Sequence, residues 1–203
     1  MKYKWEKYNG DYFLKGSKIA YQNALDHFEA ARLLKESKLK GFSINHLVLC
    51  SEEFVKALVL ICKYLGSPIE NASLDAIFSK HDIKHIAAKF LNNTNLYFDF
   101  LSKSLIQSLN SNEIRTYDDL KTKLMDGFIN KPDDKAFIQI SKFWDNIESF
   151  RIKGVYVEPQ GNNWWKPNEF KPETYNQVYT YVSELLKTMK SIIENPELNT
   201  FTF

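Results

Sequence analysis

Between Ser43 and Leu65, apolar residues fill so much of a helical wheel that only a narrow strip is left for water. Leu47, Phe54, Leu58, Ile61 and Leu65 make one stripe, and Val48, Val55 and Cys62 widen it. The polar strip is Glu52, Lys56 and Lys63, with Glu52 and Lys56 in the favourable i,i+4 order. A helix of this kind needs neighbours on most sides, so it predicts the centre of a bundle rather than a surface element. Glu53 stands out within it. At the helical repeat it falls beside His46, Ala57, Leu60 and Tyr64, at the edge of the apolar face. A carboxylate there needs a partner or must protonate.

The remaining segments supply the neighbours. A first helix is expected from Ser17, as its N-cap, to about Ser37, with Ala20, Ala24, Phe28, Ala31 and Leu34 at helical spacing and Lys40–Gly41 as its break. Residues 1–16, rich in lysine and aromatic side chains, are set apart as an N-terminal arm. Gly66-Ser67-Pro68 ends the central helix, and Asn71–Phe78 reads as a short one. SKHDIKHIAAKF then opens a longer helix, with Ile83, Ile86, Ala87 and Phe90 expected inward, and 95–130 is set apart as an insertion. Asp133–Phe150 carries Phe137, Ile140, Trp144 and Ile147 on one face. Pro172 starts a last helix to about Glu194, with Tyr175, Val178, Val182, Leu185, Met189 and Ile192 as its seam. Pro196 closes it and 196–203 is left as a tail. No strand pattern competes, although Val155–Val157 suits locally extended chain. The expected fold is all-α: an antiparallel helix bundle over 17–195 with an irregular loop before the last helix.

That loop, FRIKGVYVEPQGNNWWKP at 150–167, has no helical period of its own. A long irregular connection inside a compact helical chain is usually functional or disordered, and its aromatic content argues for order. Arg151 lies one heptad beyond Trp144, so a persisting last turn directs its side chain along the inward stripe. Two readings of Arg151 stand side by side: a phosphate clamp, or a helix-terminal cation pairing with Glu53 and satisfying carbonyls. Trp164 and Trp165 either stack bases and anchor a partner, or pin the loop to the bundle, with Gly161-Asn162-Asn163 as the turn that presents them.

The totals remove several classes. A net charge of +2 on 203 residues shows no global field of a nucleic-acid binder, which leaves room for a local basic site. The opening MKYKWEKYNG lacks the apolar core of a signal peptide, and no apolar run is long enough to span a bilayer. Cys50 and Cys62 read as buried free thiols of a reducing cytosol, so a cytoplasmic protein without membrane partners is expected. P-loop, dinucleotide and nucleophile-elbow motifs are missing, and no cofactor is expected. His81 and His85 share the i,i+4 spacing of a metal pair, but the glutamate that follows the first histidine in a zincin helix is missing, and no third ligand is evident. No metal is expected.

The Ala-rich first helix, SEEFVKALVL, KHDIKH and RIKGVYVEP followed by WWKP together resemble the AbiV family of abortive-infection proteins, within the HEPN superfamily of helix bundles. The resemblance covers most of 17–194 in the same order and is weakest at 95–130. It implies an HEPN-like bundle and phage defence by arrest of translation, with a homodimer, a phage protein as activator, and RNA or the translation machinery as target. Many HEPN proteins are metal-independent ribonucleases whose signature is an arginine followed four to six residues later by a histidine. Here the position at that spacing after Arg151 holds Tyr156.

Cleavage through the ribose 2′-hydroxyl needs a proton acceptor and a cation for the charge that builds on phosphorus and the leaving oxygen. Arg151 and Tyr156 are therefore the catalytic candidates, although a phenol is a poor base near neutral pH. Lys153, Trp164 and Trp165 are candidates for holding substrate. His81 and Lys84 border the site by resemblance, and one of the two histidines at 81 and 85 is a conceivable source of the missing base. Glu52, Glu53 and Lys56 match the family's helix motif as supporting residues, with Glu53 expected to anchor Arg151 or another cation on a neighbouring helix. The rival readings are an RNA-gripping bundle that breaks no bond and a protein-interaction bundle whose loop docks the phage trigger.

Overall fold

The computed structural model describes residues 4–67, 69–89, 91–93 and 134–194; the expected insertion and the C-terminal tail lie outside the described residues. The chain divides into two compact units, Met1–Ala88 with Trp144–Phe203, and Lys89–Phe143. The first is an all-α bundle with one small hairpin. Helix α1 spans Gly10–Glu36, α2 spans Lys40–Tyr64 and α3 spans Asn71–Ser79. Residues 81–89 are helical, followed by a short helix Ile147–Lys153 and the last helix Pro172–Glu194. In the second unit, Ile140 and Phe143 are buried on the helix Asp134–Asp145, and Ile138 is exposed.

Helix α2 is central, as its composition predicts. It packs on α1, α3, the last helix, Ile147–Lys153 and the 3-10 turn Pro167–Glu169. Ile44, Leu47, Val48, Val55 and Ile61 are fully buried along it. Its largest interface is with α1, where Ala24 and Ala31 are fully buried and Ser43 Oγ donates to the Ala31 carbonyl at 2.5 Å. Small residues on that face allow the two backbones to approach closely. His27 and His46 meet across the same interface, Nδ1 to Nδ1 at 3.0 Å, and burial lowers both imidazoles from their ordinary value.

Four expectations change. Helix α1 begins at Gly10, where Asn9 caps it by accepting from the Tyr12 amide at 3.2 Å. Ser17 is a buried interior residue whose hydroxyl donates to the Leu14 carbonyl, so it is no cap. Trp5 is built into the core with Phe13, Leu60 and Leu74, and its indole donates to Asp75 at 2.7 Å. The turn after α1 is made by Lys38, at φ 63°, and Gly41 lies inside the first turn of α2. The helix expected to run unbroken to Phe150 is interrupted at Asn146, and Ile147–Lys153 forms a separate helix of about two turns. Gly66, at φ 89°, ends α2 as expected, with Ser67 donating back to the Cys62 carbonyl.

The irregular loop contains a hairpin. Strand β1, Glu158–Gln160, pairs antiparallel with β2, Asn163–Trp165, around Gly161 at φ 59°. No described helix is long and apolar enough to cross a membrane.

Candidate functional site

The site is built outward from one buried carboxylate. Glu52, on α2, has a side chain only 3% exposed. Three donors from helix 81–89 converge on it: His81 Nδ1 at 2.7 and 2.8 Å, Lys84 Nζ at 2.8 Å and His85 Nε2 at 3.1 Å. Their spacing of i, i+3 and i+4 puts all three on one helical face. An ionised carboxylate only accepts, so each partner must donate, which assigns Nδ1–H to His81 and Nε2–H to His85. Burial pushes the Glu52 carboxyl up. The hydrogen bonds from His85 and Lys84, the Lys84 charge and the His81 bond outweigh it and hold the group down at about 2.

A second carboxylate connects this cluster to Arg151. Glu148 and Arg151 are one turn apart on Ile147–Lys153, and the guanidinium donates to Glu148 through Nη2 at 2.5 Å and Nε at 2.9 Å. His85 stands between the two acids, with Nδ1 4.0 Å from Glu148 Oε2 and Nε2 on Glu52. The Glu148 bond raises the Arg151 guanidinium against the effect of burial, and the negative charges of Glu148 and Glu52 add to it. Arg151 is partly buried, with 25% of its side chain exposed. Two of its five N–H donors are spent on Glu148, and Nη1 has no bond among the described residues. The guanidinium is thus held in orientation with an edge still available.

Backbone contacts fix the end of that short helix. Asn45, one turn into α2, donates through Nδ2 to the Arg151 carbonyl at 3.0 Å. Gly41 and Gly154 face each other with no room for a side chain: a Cβ on Gly154 would lie 2.6 Å from the Gly41 carbonyl oxygen. Beyond it, Tyr156 is 62% exposed and Trp164, pointing out of β2, is 64% exposed. Trp165 alternates to the other face, where its indole donates to the Lys153 carbonyl at 3.0 Å and its ring meets Phe170. The Lys153 ammonium lies 5.6 Å from the centre of the Trp165 ring. Trp165 therefore pins the hairpin, and Trp164 is presented.

The family model described as AbiV, within HEPN, matches residues 13–187. The chain belongs to the AbiV family of HEPN proteins. No curated protein and no solved structure matches it. The matched span of this AbiV protein contains every residue of the Glu52 and Arg151 clusters.

In this AbiV chain the two adjacent glutamates exchange the roles expected of them. Glu53 does not anchor Arg151. It pairs with Lys56 on α2, and both line a cavity of about 690 Å³ with Trp5, Tyr12, Ile19 and Phe78. Lys56 is thereby the partner of Glu53 rather than of Glu52, and the buried acid is Glu52. Helix 81–89 is likewise rotated from its apolar reading. Ile86 is 66% exposed, while Lys84, His85 and Ala88 are buried, because the Glu52 carboxylate needs their donors. Glu148 and Asn45 join the site without having been singled out as its residues, and His85, weighed as a base, is placed as a buried donor to Glu52. Among the described residues no three His, Cys, Asp or Glu side chains are placed to hold a metal ion together.

Proposed function

We propose that this AbiV protein is an antiphage abortive-infection effector that arrests translation by cutting RNA, working as a metal-independent ribonuclease in a homodimer released by a phage protein. Family membership supports the defence role. The observation that carries the chemistry is the oriented guanidinium of Arg151, braced by Glu148 beside a carboxylate that gathers two histidines and a lysine. An arginine held this way binds the scissile phosphate and stabilises the charge that develops on it. Tyr156, exposed just beyond the Arg151 helix, is suited to hydrogen-bond phosphate or ribose. The exposed ring of Trp164 offers a base a stacking surface.

One observation favours a second reading, in which the same surface grips RNA without breaking it: a phenol stands where many HEPN ribonucleases carry an imidazole. Purified protein added to an in-vitro translation reaction with labelled RNA separates the two. Cleavage predicts discrete fragments as translation falls, with Arg151→Ala slowing their appearance roughly 100-fold. Intact RNA in a reaction whose translation has stopped would establish gripping. Full cleavage by Arg151→Ala would remove the site from either reading.

A further inference from the structure

Tyr156 leaves the proposed reaction without an evident base, and the Glu52 cluster holds three groups that could take a proton. They differ in access. Lys84 and His85 have side chains 4% and 6% exposed, and His85 has one ring nitrogen on Glu52 and the other toward Glu148. His81 is 47% exposed. Its Nδ1 is fixed as a donor to Glu52, so in the neutral ring the lone pair is on Nε2, which has no bond among the described residues. A buried carboxylate holding one nitrogen of an imidazole while the other faces outward is the arrangement that orients a general base. His81 shares the Glu52 carboxylate with His85, whose other ring nitrogen is 4.0 Å from Glu148, the partner of Arg151.

We infer that His81, oriented through Nδ1 by Glu52, takes the proton of the attacking 2′-hydroxyl at Nε2, supplying from a separate helix the base absent after Arg151. This rests on the ribonuclease reading. As Nε2 takes the proton, the O2′–P bond forms and the P–O5′ bond breaks. The departing 5′-oxygen takes a proton from water, leaving a 2′,3′-cyclic phosphate on one fragment and a 5′-hydroxyl on the other. The imidazolium then returns its proton to solvent. Glu52 is a positioning residue in this scheme, and its contact with substrate is not required.

The test uses full-length protein and labelled RNA in chelator, with rates measured across pH. His81→Asn keeps an amide donor for Glu52 and removes the base. It should unfold at the wild-type temperature yet cleave roughly 100-fold more slowly, without the histidine limb of the wild-type pH profile. His81→Ala should recover part of its rate when imidazole is added. Cleavage by wild type that is lost in Arg151→Ala but unchanged in His81→Asn would overturn the inference and leave the ribonuclease reading standing. Slower cleavage in both His81 variants with an unchanged pH profile and no imidazole rescue would show a structural role, and also overturns it. Uncut RNA with a wild-type preparation that stops in-vitro translation would end both.

Discussion

Replacing Glu52 with alanine should lower the unfolding free energy by about 3–5 kcal/mol, because it leaves a buried ammonium and a buried imidazole without their shared acceptor. Lys84 and His85 are each under 10% exposed and both donate to this one carboxylate. Glu52→Gln, which keeps the shape and loses the charge, should fall between alanine and wild type. The same residue sets a pH dependence. The folded carboxyl is held at about 2 against an ordinary 4.5, so its contribution is complete above 4.5 and disappears as the pH falls from there toward 2. The difference corresponds to about 3 kcal/mol. Chemical denaturation of wild type and Glu52→Gln across that window should show a steep loss in the first and a flatter one in the second. Equal slopes would mean that the carboxylate is not held by these donors.

Gly41→Ala should be nearly as damaging, and here the sign is decided by distance. In a helix, alanine is intrinsically favoured over glycine by about 1 kcal/mol. A Cβ at position 41 would lie 2.1 Å from the Pro167 carbonyl oxygen and 2.7 Å from the Gly154 oxygen, both of them backbone atoms. Neither can move without displacing the end of the Arg151 helix or the turn after the hairpin. Overpacking of this kind reaches about 3 kcal/mol, which exceeds the helical gain. Gly16→Ala is the control. Its new methyl would meet only Leu60 Cδ1, a flexible side-chain end at 3.2 Å that can shift, so the helical gain of up to about 1 kcal/mol is offset only in part and no loss of stability is expected. Thermal unfolding of the two variants side by side reads the contrast. A Gly41→Ala protein as stable as wild type would show that the joint between α2 and the Arg151 helix is looser than its geometry.

The bundle was legible because α2 carries its own argument: a segment apolar on nearly every side can only be central. The same property hid the site. When most of the wheel is buried, the wheel no longer tells which of Glu52 and Glu53 faces inward. The donors that decide it lie 29 and 33 residues away, on a helix whose apolar residues gave the wrong face. Ile86 looked like core and is exposed, while Lys84 and His85 are buried, because pairing with a carboxylate outweighed local hydropathy. Arg151 was singled out by its heptad relation to Trp144, a relation that the break at Asn146 interrupts. Its partner Glu148 was not, since any i,i+3 pair on an ordinary helix looks alike. The hairpin was hidden for a different reason: its strands are three residues each and its register depends on Gly161 taking a positive φ. Of the two tryptophans, alternation along β2 separates the one that pins from the one that is presented.

The central functional claim is that a ribose hydroxyl attacks its own phosphate at the Arg151 and Glu52 cluster. The direct measurement is the chemistry of the ends, made on one labelled RNA and on the same RNA with a 2′-deoxy sugar at the cut position. The expected result is a 2′,3′-cyclic phosphate and a 5′-hydroxyl from the first and no cut at that position in the second. A 5′-phosphate on the fragments, or equal cutting of the deoxy-substituted strand, would contradict it.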